Sequence, residues 1–261
     1  LRYVRGFDMF LQKRGCCGNT RKFYFKALRA ILNRANAEGV GSVATYPFGR
    51  GGFEVSKLEE ATAKRYLPAT ELSKLKSTTA SNPQCEYARK LFLFSYYCYG
   101  ISFIDMAMLT TAHIKQMEDG DYIVYKRQKI KRQKGVKPIS IKITPAIRQL
   151  IGSLQAASPT VDDFLLPIVT RSGYTGERLY MHIRTRYSKY QKYLRLLAEE
   201  LGIDFHLTSY VSRHTAAMTL QRNHIPREVI SQMLGHADLE TTNIYLDSFD
   251  NEVINEAAKV L

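Results

Sequence analysis

The chain has no run of about 18 apolar residues, so no membrane-spanning helix is expected by hydropathy. Its first residues, Leu1-Arg2-Tyr3-Val4-Arg5, offer neither the apolar stretch of a signal peptide nor an initiator Met, and the chain is expected to begin inside a longer one. Cysteine is scarce: Cys16, Cys17, Cys85 and Cys98 form no Cys-x-x-Cys pair and have no repeated His partner. That pattern argues against a zinc site and against a disulfide framework, and a reducing cytoplasm is the expected setting for a soluble protein. No internal repeat or low-complexity tract appears. Acidic residues are few relative to basic ones, 24 against 38, and the net charge of +14 creates a potential that attracts polyanions. Basicity alone would equally suit a ribosomal or membrane-surface protein.

At 261 residues, 45% of them hydrophobic, the chain can bury one large core or two ordinary ones. The charge is uneven: residues 1–68 hold 13 Lys and Arg against 5 Asp and Glu, a balance of +8, as expected of a segment that grips a phosphate backbone. Asn19-Thr20 offers a cap to an amphipathic helix with Phe25, Leu28, Ile31, Leu32 and Ala35 on one side, stopped at Gly39. Its other side carries Arg21, Lys22, Lys26, Arg29 and Arg34, either a solvated face or a DNA-contacting one. The Gly- and Pro-rich stretch 40–69 reads as loop and linker, which divides the chain into residues 1–68 and 69–261.

Beyond it, Thr70 can cap a short helix over ELSKL, and an apolar helix runs from Cys85 to Tyr99, ended by Gly100. A further short helix is expected over Phe103–Leu109. Strands are expected over Tyr122–Lys126 and Pro138–Ile143, where β-branched and aromatic residues gather, with the basic flap KRQKIKRQKGVK between them. Helices follow near 144–155, 178–201, 208–223 and 226–234, the last two opened by Thr208 and by Ile225-Pro226. The expected fold class is mainly α with a small antiparallel β-sheet, α+β.

The most telling stretch is LTSYVSRHTAAMTLQRNHIPREVISQMLGHADLETTNIYLDSF, residues 207–249. Arg213-His214 is followed 23 positions after Arg213 by His236, in Leu-Gly-His-Ala-Asp, and 9 positions later by Tyr245, preceded by Thr241-Thr242. A guanidinium presents two parallel charge-assisted donors that do not titrate, which suits Arg213 to the non-bridging oxygens of a phosphodiester. These ordered residues resemble the second conserved box of the tyrosine recombinases, the phage-type integrases, with a weaker match over 85–143 and a fainter one over 1–68. The resemblance implies a helical core-binding domain followed by a catalytic domain. It also implies DNA strand transfer without metal, ATP or cofactor: Tyr245 attacks phosphorus, leaving a 3′-phosphotyrosyl link and a free 5′-hydroxyl.

Under that resemblance Arg213 binds the scissile phosphate, His236 donates to it or assists the nucleophile, and Gly235 lets the turn come close. His214 buttresses the fold. The general acid for the leaving 5′-oxygen is assigned to Lys129 on the hairpin, with Lys131 and Lys134 as competitors. Double-stranded DNA would be contacted by Arg21, Lys22, Lys26, Arg29, Lys131 and Arg132. Four protomers would act on paired sites, assembled from chains that are monomeric without DNA and joined by accessory DNA-bending proteins, and Asp250–Leu261 would form a tail helix that docks on a neighbour or on its own domain.

Two positions depart from the family pattern. Ser102 stands where the family has Arg, followed by Asp105 at the usual acidic position, and Arg127, two residues before Lys129 on one face of a strand, is the candidate to replace the lost charge. Tyr210 stands where His is usual, three residues before Arg213 and on its helix face, so its hydroxyl is expected to donate to the same phosphate unless it is a core Tyr. Both substitutions are similar to those in integrases of mobile elements in Bacteroides-type bacteria, which implies a bacterial host. The alternatives are a cleavage-impaired regulator and a type IB topoisomerase.

Overall fold

A computed structural model describes residues 1–60, 66–236, 242, 243 and 246. The chain divides into two compact units, Leu1–Ala63 and Lys64–Leu261. In the smaller, α1 (Arg2–Lys13) precedes α2 (Gly18–Ala37). Val4 and Leu11 on α1, seven residues apart and so on one helix face, meet Phe25 of α2 in a core completed by Phe48 and Val55. Phe25 is fully buried, and its ring lies 4.5 Å from that of Phe53 and 5.5 Å from that of Phe7. The segment expected to be a bare linker therefore contributes to this core through Phe48 and Val55. Ile31, expected on the apolar side of α2, is exposed, because the core covers only the stripe centred on Phe25.

In the larger unit, α3 (Ala69–Ser77) starts at Pro68, with Thr70 inside the helix rather than capping it. Next, α4 (Pro83–Tyr97) is buried through most of its C-terminal two-thirds, as a central helix must be, and packs against α6 (Pro145–Ala157), α7 (Gly176–Glu200) and α8 (Val211–Arg222). Asn82 caps it, accepting from the backbone N–H of Gln84 at 2.8 Å and of Cys85 at 3.2 Å, with Pro83 in the first turn where its missing N–H costs nothing. The short α5 (Phe103–Ala107) is capped by Ser102.

Three antiparallel strands follow in the order β1 (Ile114–Met117), β2 (Gly120–Tyr125), β3 (Ile139–Lys142). The register Ile123↔Ile141 and Tyr125↔Ile139 places all four side chains inward, and β3 packs on α9 (Arg227–Leu234). β1 was not foreseen: it is an edge strand with little burial and no apolar alternation to announce it. Then come α6 (Pro145–Ala157), the long α7 (Gly176–Glu200), α8 (Val211–Arg222) and α9 (Arg227–Leu234). The fold is thus mainly helical with one small antiparallel sheet. Among the described residues no helix is long and apolar enough to cross a membrane.

Candidate active site

The start of α8 is tied to the end of α4 by chemistry that leaves little freedom. The hydroxyls of Ser95 and Ser212 lie 2.7 Å apart, both buried, and Ser95 also donates to the carbonyl of Ile101 at 2.8 Å. Gly100 has φ +72°, and a Cβ there would stand 2.3 Å from the Cα of Arg213. Only glycine permits both that backbone conformation and that approach.

Arg213 is thereby carried into the protein, with 3% of its surface exposed. Its Nη1 donates to the carbonyl of Gly100 at 3.1 Å, and its Nη2 to the carbonyl of Leu234 and to His236 Nε2, the latter at 2.9 Å. A guanidinium has no acceptor, so His236 Nε2 must be the unprotonated nitrogen of a neutral ring. The ring proton then sits on Nδ1, 2.8 Å from the hydroxyl of buried Thr242, which accepts it. Burial first, and then the charge of Arg127, lower the pKa of Arg213 to about 10, which leaves it cationic at neutral pH.

Arg127 approaches from the sheet side. Half-buried, it donates from Nη1 to the carbonyl of Gly235 at 3.3 Å, so two guanidinium groups are fastened to consecutive carbonyls of one turn. That turn ends α9 with Gly235 in the left-handed conformation, φ +64°, where a Cβ would meet the Ile139 side chain at 2.3 Å. Asp105, 3% exposed, sets the position of Arg127 by joining α5 to the root of the flap. One oxygen accepts the Ser102 hydroxyl at 2.6 Å and the other the backbone N–H of Gln128 at 2.7 Å. Ser102 therefore contributes a brace and no charge. This role of Asp105 was missed in the sequence, where only its acidic character was visible.

Tyr210 stands just before the first residue of α8, with no capping bond from its side chain, and is 48% exposed, not a core residue. It lines the same cavity as Arg213 and packs edge-on against His214, with ring centroids 5.1 Å apart. Lys129, Lys131, Arg132 and Lys134 lie exposed on the flap, and none of them is brought to Arg213 by a hydrogen bond. Tyr245 and the tail 250–261 lie outside the described residues. In the smaller unit the four cations named for DNA separate into two kinds. Arg21 pairs with Asp8 at 2.9 Å and Lys22 with Glu59 at 2.6 Å, whereas Lys26 and Arg29 are exposed.

Residues 65–252 match the phage integrase family, and residues 1–54 match the phage integrase SAM-like domain. The tyrosine recombinase XerD of Halalkalibacterium halodurans is 43% identical over 54 residues, 21% of this chain and 18% of the relative. The tyrosine recombinase XerC of Rhodospirillum centenum is 31% identical over 114 residues, 44% of this chain and 31% of the relative. The matched segments thus span under a third of either relative's length. Among solved structures, the Tn1549 transposon integrase in complex with transposon right end DNA shares the fold at a TM-score of 0.68 and 12% identity, over 98% of this chain and 84% of that one.

Proposed function

The chain belongs to the phage integrase family, the tyrosine recombinases, and from that premise we propose that it is a site-specific recombinase that cuts and rejoins double-stranded DNA for a mobile element. One observation carries this most: two guanidinium groups and an imidazole gather on the turn Leu234-Gly235-His236, an arrangement of like charges that is relieved by an anion seated among them. A phosphodiester supplies that anion. Its oxygens replace His236 Nε2 as acceptor for Arg213, and the imidazole, released and protonated, becomes a donor to the same phosphate.

In the proposed reaction the Tyr245 oxygen forms a bond to phosphorus as the bond from phosphorus to the 5′-oxygen breaks. The phenol gives its proton to solvent while the neighbouring cations stabilise the phenolate, and Lys129 on the flap gives a proton to the departing 5′-oxygen, which leaves as the hydroxyl. Tyr210 donates a neutral hydrogen bond, and Arg127 supplies the charge that Ser102 lacks. The ester keeps the bond energy, so rejoining to another 5′-hydroxyl needs no ATP. In the same proposal residues 1–68 grip the duplex through Lys26 and Arg29, the flap adds Lys131 and Arg132, and four protomers assemble on paired sites.

The test is a suicide substrate nicked beside the cleavage point. Wild-type protein should be trapped covalently on the DNA, and Tyr245→Phe should bind equally well and trap nothing. Ser102, whose hydroxyl is spent on Asp105, favours a second reading, a DNA-binding regulator without cleavage. Tight binding with no covalent product from the wild type would establish that instead.

A further inference from the structure

Beside Arg213 lies a cavity of about 390 Å³, within the range that holds small planar ligands. One wall is a single face of α7, where Tyr180, Ile183, Arg184 and Tyr187 recur at helical spacing. The wall is rigid: the Tyr187 ring lies 5.3 Å from that of Phe103, which is stacked 5.1 Å from that of Tyr190, so an aromatic ladder runs from the cavity into the core. The Tyr187 hydroxyl is fixed 3.2 Å from that of Ser209 and accepts from Gln191 Nε2 at 3.1 Å. Tyr180 leaves 59% of its surface exposed at the rim. At the Arg213 end stand Gly100, the short Ser102, turned to Asp105, and Tyr210, whose ring packs edge-on against His214.

A cavity with aromatic walls and a guanidinium at one end suits a flat, apolar face covalently attached to an anion. Phosphates and groove edges are polar and gain nothing from such walls, and a paired base hides both faces in the stack. Arg184, exposed and without an ion pair among the described residues, adds a donor at the rim. We infer that this cavity receives one unpaired nucleobase, stacked on Tyr187, while the phosphate attached to that nucleotide rests on Arg213. The inference rests on the proposal that Arg213 binds DNA phosphate, and it adds a base-holding surface on α7. It makes the local ease of unpairing a determinant of which sites are used, because an already weakened pair costs less to open.

The probe is a short duplex of arbitrary sequence, compared with the same duplex carrying one central base opposite an abasic position. Binding is read by fluorescence anisotropy and needs no cleavage. The full chain should prefer the duplex with the unpaired base about tenfold, the size of a base–aromatic stack. Tyr187→Phe should keep that preference and Tyr187→Ala should lose it, both binding the fully paired duplex as the wild type does. A preference under about twofold, or one that persists in Tyr187→Ala, overturns the inference. Loss of covalent trapping with the preference intact would sink the recombinase proposal alone.

Discussion

In the smaller unit, Arg21 and Lys22 are each matched by a carboxylate at 2.9 and 2.6 Å, and Arg34 by Glu38 at 2.8 Å. In the larger unit, Arg213 and Arg127 are instead fastened to carbonyl oxygens and to an imidazole, close enough for one charge to depress the pKa of the other. A carboxylate partner neutralises a cation and leaves it little to offer a phosphate. A carbonyl partner orients the cation and leaves its charge in place. Position in the fold thus decides what a basic residue can do: Arg21 holds α1 to α2, whereas Arg213 is oriented by a carbonyl and an imidazole, as the proposed phosphate role requires.

The sharpest way to break this contrast is to remove Arg213. Arg213→Ala should slow covalent capture on the suicide substrate by about 10³-fold or more, because a buried phosphate charge is left unmatched. Next comes the flap: Arg127→Ala should slow capture by about 10²-fold, and exposed Arg132→Ala by less than about twofold. Equal and mild losses in the two would show that Arg127 does not stand in for the charge absent at Ser102. Third, Gly235→Ala forces a side chain into the left-handed region against Ile139, and thermal unfolding should show a loss of about 1–3 kcal/mol. Cleavage should fall further than stability, since both guanidinium anchors shift with the turn.

The smallest effects should lie in the smaller unit and be visible mainly in salt dependence. Lys26→Ala and Arg29→Ala should each weaken binding to any duplex and reduce the slope of log affinity against log salt by about 1. Arg21→Ala should leave the slope unchanged and instead lower the melting temperature of the smaller unit, by breaking its pair with Asp8. A slope change in Arg21→Ala equal to that in Lys26→Ala would erase the distinction between paired and unspent cations.

Much of the larger unit was legible because its signals are periodic: the inward alternation of Ile139 and Ile141, the apolar run of α4, and the start at Pro226 each reflect one local rule. The partners of Arg213 were not, since Gly100 and Leu234 lie 113 and 21 positions away and offer backbone carbonyls that any residue type carries. Asp105 shows the same limit: its charge is written in the sequence, but its bond to the backbone of Gln128 depends on how the flap folds back. In the smaller unit α1 escaped notice although Val4, Phe7 and Leu11 share one helical face, and glycines around Phe48 disguised a segment that joins the core. Register Ile123↔Ile141 was readable only once β2 and β3 were paired.

The bond between His236 Nδ1 and the Thr242 hydroxyl acts as a clip on a leash. The leash, the chain around Thr242, is fastened a second time: Leu246 is buried among Ala217, Ile230 and Leu234, and its backbone N–H donates to the Thr242 carbonyl at 3.3 Å. With the clip open, that packing and the bond from Arg227 Nη1 to the Asn243 side chain at 3.1 Å still tie the segment to α8 and α9. Protonating the imidazole, the same event that would greet an arriving phosphate, leaves Thr242 still able to accept from Nδ1, so the ring keeps its bearing as its other nitrogen turns from acceptor to donor. Losing the Thr242 hydroxyl would instead leave the imidazole without its anchor, so the ring that faces Arg213 would lose its orientation while the segment stayed packed.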